Sequence, residues 1–279
     1  MSEIPFGSAE LAAAYDGLSE PQFAHGTELL TLLEVGPGDR VLDIGCGTGR
    51  LAVAALGRVG PEGCVVGIDP AAPRIAIARE HADPRLDFRI GQAEDLSSFP
   101  DATFDVAYLN SVLNWVPDRK RAVREAYRVL KLGGRLGIAT TVRDRPNQLW
   151  LLARCAWRAA QGLREHTGPT TEERPRERSG SGRAPTVDEI RELLAGSGFT
   201  PRSIELRTFT SVFCDAAQIV DFLQATTYGQ FVPGAGAADY ARFHAALKAL
   251  LAREYPSAVT GDGIRLERYV LLAVADKLV

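Results

Sequence analysis

Apolar positions along the chain change period in a regular way. Residues 8 to 34 carry two helical stripes, Leu11, Ala14, Tyr15 and Leu18 and then Phe23, Leu29, Leu30, Leu32 and Leu33, and Gly36-Pro37-Gly38 stops them. Beyond that point short β-branched runs alternate with helical stretches. Strands are predicted over 40–44, 64–68, 86–90 and 106–109, with helices after Gly49 and from about Pro73. Such alternation predicts βαβ units around a parallel sheet. A helix after Pro117-Asp118 puts Ala122, Val123, Ala126, Val129 and Leu130 on one face; Gly133-Gly134 is expected to end it, and a strand over 135–141 follows.

The second half is less regular. A helix near 149–160 leads into a stretch from 162 to 185 rich in Pro, Gly, Ser and charge, expected to be a flexible loop or lid. Thr186-Val187-Asp188-Glu189 has the spacing of a capping box and opens a helix ended by Gly196 or Gly198. A strand over 204–212, helices near 216–224 and 238–254, and a last strand over 266–274 complete the pattern. The expected fold class is α/β, a doubly wound, mostly parallel seven-stranded sheet with N-terminal helices and a helical lid insertion. The predicted division is an N-terminal helical cap (1–36), a ligand-binding core (37–142), a lid insertion (143–185) and a C-terminal completion of the sheet (186–279) with a helical insert at 215–254.

Composition narrows the class of partner. At 279 residues and 46% hydrophobic, the chain can bury one large core with a smaller appended element. A formal net charge of -3 weighs against a nucleic-acid binder that relies on a basic field. Cys46, Cys64, Cys155 and Cys214 lie far apart with no C-x-x-C pair, so neither a zinc ribbon nor a disulfide framework is readable, no metal is expected, and a reducing compartment is. The first residues lack a basic segment followed by an apolar one, and no run approaches the ~18 apolar residues of a membrane span, so the expectation is a cytoplasmic protein off the membrane. Nothing here bears on oligomeric state.

The strongest chemical signal is Val41-Leu42-Asp43-Ile44-Gly45-Cys46-Gly47-Thr48-Gly49, a buried strand running into three glycines. Glycines there allow a tight turn and let backbone N–H groups approach a ligand. The next strand ends in Asp69, where a carboxylate can accept from both hydroxyls of a ribose, and Pro70 follows it. The third ends in Gly91-Gln92-Ala93-Glu94-Asp95 and the fourth in Asn110-Ser111. Polar residues at consecutive strand ends predict one nucleoside-shaped ligand across the switch point of the sheet.

Residues 38 to 141 resemble a class I S-adenosylmethionine-dependent methyltransferase of the ubiquinone-biosynthesis-like (type 11) group. The resemblance rests on Leu42 to Gly49, on Gly67-Ile68-Asp69, on Gly91 to Asp95, and on Arg128-Val129-Leu130-Lys131-Leu132-Gly133-Gly134, in that order and spacing. It implies S-adenosylmethionine as cofactor, with Asp43, Gly45, Cys46, Gly47 and Gly49 at its methionine part and Asp69 and Pro70 at the ribose. Gln92, Ala93 and Glu94 would surround the adenine, Asn110 and Ser111 would line the methyl-donor side, and Tyr15 would close over the cofactor. Two positions depart from the group: Gln92 stands where it usually has Asp, and Arg74 where it tends to have an apolar residue. A guanidinium at 74 can stack on a base or face solvent.

The rest resembles small-carboxylate O-methyltransferases acting on trans-aconitate or malonyl thioester, through the Trp115-Val116-Pro117-Asp118 turn and the long insert before the sixth strand. That implies a small, acidic acceptor, with Trp115, Arg143 and Tyr228 as candidate lining residues. Nine arginines against five acids between 143 and 183 would suit such an acceptor, and surface solubility would produce the same count. Two alternatives stand beside it: arsenite or thiol S-methylation through Cys64, Cys155 and Cys214, which Asn110 to Asn114 also resembles, and a non-catalytic, cofactor-stabilised interaction module. Other residues read more plainly. Cys46 fills a small space and Cys64 belongs to the core. His25, His81, His166 and His244 lack paired spacing and read as structural or surface residues. Arg119, Lys120, Arg121, Arg124 and Arg128 form the solvated face of a helix, and Trp150 and Trp157 belong to the core.

Overall fold

The computed structural model describes residues 8–145, 147–163, 184–227, 231 and 235–278. Two helices open the chain, α1 (Ala9–Leu18) and α2 (Glu20–Leu32). There follow β1 (Arg40–Ile44), α3 (Arg50–Val59), β2 (Cys64–Asp69), α4 (Ala72–Ala78), β3 (Leu86–Ile90), β4 (Phe104–Asn110), α5 (Arg119–Val129) and β5 (Leu130–Thr140). The second half adds α6 (Gln148–Ala160), α7 (Val187–Ala195), β6 (Thr200–Phe213), α8 (Ala216–Thr226), α9 (Ala237–Glu254), the two-residue β7 (Val259–Thr260) and β8 (Gly263–Asp276). The strands order as β3-β2-β1-β4-β5-β8-β6; β1 to β5 run parallel, β8 is antiparallel to both β5 and β6, and β7 is a short hairpin partner of β8.

Alternation along the strands builds a core on each face of the sheet. On β8, Val270, Leu272 and Val274 join the layer of α2, α3 and α4, while Leu271, Ala273 and Ala275 join that of α5 and α7. On β1, Leu42 and Ile44 face the second layer and Val41 the first. A third core lies over the carboxyl end of the parallel strands, where α6, α8 and α9 pack around Phe213, Ile264 and Leu266. Trp150 and Trp157 border it against Phe231 and Phe243.

The glycine pair at 133–134 does not end a helix. α5 stops at Val129, because Leu130 turns extended to pair with Phe104 at the start of β4. Gly133 instead takes φ +78° where the strand bends, and its N–H bonds the Lys277 carbonyl. Thr186 does form the capping box, its hydroxyl accepting from Glu189 N–H while the Glu189 carboxylate accepts from Thr186 N–H. Of the predicted lid, residues 164–183 lie outside the described residues. The basic face of α5 divides: Lys120, Arg121 and Arg124 are exposed, but Arg128 clamps Glu125 and Asp101 and donates to the carbonyls of Leu96 and Phe99.

Candidate functional site: a nucleoside cleft at the switch point

β1 and β4 are neighbours in the sheet although β2 and β3 intervene in sequence, so the chain reverses direction there and opens a crevice at the carboxyl ends. The glycine turn fills its floor. Gly45 has φ +83°, its N–H bonds the Ile68 carbonyl, and a Cβ added to it would stand 2.2 Å from Val112 Cγ2. Gly49, at φ +84°, ends the turn as the N-cap of α3; an added Cβ there would press on the Phe88 ring. Side chains at either position require the surrounding packing to move.

Two buried carboxylates lie beneath the turn. Asp69 accepts from Gly47 N–H at 3.0 Å and from Ala71 N–H at 2.8 Å. Burial raises its pKa, outweighing Arg74 and the two N–H groups, which act the other way. Asp43 accepts from the Tyr108 hydroxyl at 2.8 Å, and burial pushes it up to about 7. Burial also pushes the Cys46 thiol up, as expected of a space-filling cysteine rather than a nucleophile.

Tyr15 stands over this floor. Its ring edge is 3.3 Å from where a Cβ on Gly47 would be, and the Arg74 guanidinium lies 3.9 Å above the ring. Arg74 is neither solvent-facing nor free to stack on a base in this arrangement; it is buried against Tyr15 and donates to the Ala225 carbonyl of α8. The space left, bounded by Tyr15, Gln22, Asp43, Gly45, Arg50 and Asn110 among others, is about 30 Å³. That is room for about one water.

Along the rim, Gln92 is exposed and forms a bridge with Asp95, Ala93 is packed in the core, Glu94 accepts from Asp118 N–H, and Pro70 is half-buried. Asn110 donates to the Gln22 carbonyl, while its Oδ1 is buried without a partner, as is Gln22 Oε1. Ser111 is one of few non-glycine residues with positive φ, +63°, and its hydroxyl lies 2.9 Å from His25 Nε2. Trp115 is half-buried in a short 3-10 turn after β4.

Arg143 is engaged elsewhere: it pairs with Glu189 and donates to the Ala184 carbonyl, tying α7 to the end of β5. Tyr228 lies outside the described residues. The three cysteines of the arsenite reading do not converge. Cys64 opens β2 at the amino edge of the sheet, opposite the glycine turn, and among the described residues no group of three His, Cys, Asp or Glu side chains could hold a metal ion. Sequence reasoning took His25 as structural and passed over Ser211 and Arg268; His25 meets Ser111, and Arg268 meets Ser211, with Phe209 between the two pairs, and their separations along the chain leave no local signal.

A doubly wound sheet with a glycine turn at its switch point and a carboxylate ending the second strand defines a nucleoside-binding α/β domain. Among known proteins, residues 42–138 match the methyltransferase domain family. Trans-aconitate 2-methyltransferase of Deinococcus radiodurans is 27% identical over 245 residues, 87% of this chain and 90% of that one. Arsenite methyltransferase of Aquipseudomonas alcaligenes is 40% identical over 118 residues, but these are only 39% of this chain and 34% of that relative. Among solved structures, the YcgJ protein of Bacillus subtilis aligns with TM-score 0.60 at 19% identity, covering 91% of this chain and 98% of that one; this establishes a shared fold. No helix among the described residues is long and apolar enough to cross a membrane.

Proposed function

We propose that this chain transfers a methyl group from S-adenosylmethionine to a small acidic acceptor, forming a methyl ester. The observation that carries the reading is the buried Asp69 carboxylate held against the glycine turn at the switch point. It suits a ribose, and with Asp43 beside it the floor carries two carboxylates, which favour a cationic ligand such as a sulfonium. The bound cofactor would supply an electrophilic methyl group. The backbone of Gly45, Gly47 and Gly49 would border its methionine part, Asp69 and Pro70 would hold the ribose, and Gln92, Ala93 and Glu94 would border the adenine. Asn110 and Ser111 face the transferred methyl, with the orphaned Asn110 Oδ1 as an available acceptor. Tyr15 and Arg74 close over the ribose side and exclude water. A carboxylate acceptor is already a nucleophile and needs no base, so positioning is the main task left to the protein.

Similarity to a trans-aconitate methyltransferase along 87% of the chain supports an acidic acceptor, whereas similarity to arsenite methyltransferase covers only 39% of it. We read residues 1–36 as a cap, 37–142 as the cofactor core, 143–185 as a lid and 186–279 as the completion of the sheet, in a protein of the cytoplasm. Incubation with methyl-tritiated S-adenosylmethionine and trans-aconitate should give an extractable, base-labile methyl ester. Label incorporated only in the presence of arsenite or a thiol would replace the acidic acceptor by a soft one.

A further inference from the structure

Arg268 is a buried cation without a counter-ion. It sits on β8, 5% exposed, with Nε donating to Ser211 Oγ at 2.6 Å and Nη2 to the Pro21 carbonyl of α2 at 2.8 Å. No carboxylate among the described residues lies within ion-pair distance of it, in contrast to Arg207 on the neighbouring strand β6, which has Glu28 and Glu205. Nη1 makes no hydrogen bond among the described residues. Burial brings this guanidinium down to about 10, which is the cost of holding the charge there unpaired.

From Arg268 a chain of contacts leads to the rim of the cleft. Phe209 is the direct cross-strand partner of Arg268, and His25 packs edge-on against it with ring centroids 5.7 Å apart. His25 in turn touches Ser111 at the end of β4, on the rim assigned to methyl transfer. Its exposure is 1%, yet Nδ1 has no partner. The nearby Asn110 Oδ1 and Gln22 Oε1 are likewise unpartnered, so buried polar capacity gathers on one side of the rim. Asn110 Oδ1 and Gln22 Oε1 are acceptors and offer an anion nothing; what an anionic ligand would match is the Arg268 guanidinium, which has only neutral partners.

We propose that Arg268, with Ser211 and the His25–Ser111 pair beside it, binds the anionic group of the methyl acceptor, a carboxylate, between β8 and the first turn of α2. The inference rests on the methyltransferase reading and specifies which cation selects the substrate. The acid would take over Nη2 from the Pro21 carbonyl and engage Nη1, a two-pronged contact that only a planar guanidinium offers. Arg143, already paired with Glu189, would not take part.

Calorimetric titration with succinate and trans-aconitate, and with succinamide as the uncharged counterpart, tests this with and without S-adenosylhomocysteine. The wild type should bind the acids and prefer them to the amide by about 10- to 100-fold. Arg268→Met should erase that preference and Arg268→Lys retain part of it. Absence of acid binding by the wild type at millimolar concentration, or equal binding of acid and amide, would overturn the proposal without any variant having to fold. A merely structural Arg268 would lower the melting temperature and leave the acid-over-amide preference intact, which also overturns it. Titration of the same protein with S-adenosylmethionine reads the methyltransferase assignment separately: loss of that binding alone removes the cofactor, while the acid arms still decide the role of Arg268.

Discussion

Asp43 and His25 pull the pH dependence of stability in opposite directions. Asp43 titrates near 7 in the folded chain and at the ordinary 3.8 when unfolded, so between these values the folded state holds a proton that the unfolded state has lost, and stability falls as pH rises. His25, brought from 6.5 down to about 3 by burial, does the reverse: stability rises with pH until about 6.5. The two slopes oppose each other over most of the acid range. Asp43→Asn should therefore gain stability relative to the wild type as pH rises from about 4 to about 7, by at most about 1.4 kcal/mol per pH unit, the ceiling for one proton. Urea unfolding at a series of pH values measures it, and parallel curves would refute the assignment. Gly45→Ala tests the floor of the cleft: its Cβ would meet Val112 at a sub-contact distance, and a loss of about 1–3 kcal/mol is expected in the same assay. A neutral effect would mean that Val112 yields freely. The glycines and Asp69 were legible because a turn motif is local; the Arg268 cluster was not, since Ser211 and Arg268 are 57 residues apart and His25 and Ser111 are 86 apart.

Among the elements, strands and helices of the first half were readable from period alone, since each βα unit changes from a period of two to one of 3.6 within a few residues. The mistaken helix end at Gly133-Gly134 has a physical reason: an extended Leu130, buried and paired with Phe104, competes with the capping tendency of glycine and wins. Helix α1 is the least anchored element over the cleft. Only Ala12 of its ten residues is fully buried, and Tyr15 meets Arg74 and the glycine turn at its inner face. With so few buried side chains, α1 is the element expected to move when a nucleoside enters the cleft. Its amides should then exchange with deuterium through local opening, well ahead of those of β1 and β4. Protection of α1 equal to that of β4 in exchange mass spectrometry would contradict this gating role.

At the scale of the molecule, the parallel half of the sheet carries the glycine turn and Asp69, while the helices α6, α8 and α9 pack over the same edge around the ends of β6 and β8. The family match, residues 42–138, falls within the parallel half. The central claim is that the switch-point cleft holds S-adenosylmethionine through Asp69. Isothermal titration of the wild type and of Asp69→Asn with S-adenosylmethionine tests it most directly. The account predicts one-to-one binding by the wild type, weakened by about 1.5–3 kcal/mol in Asp69→Asn with the fold intact by circular dichroism. Equal affinity in the two proteins, or no binding by the wild type, would contradict it.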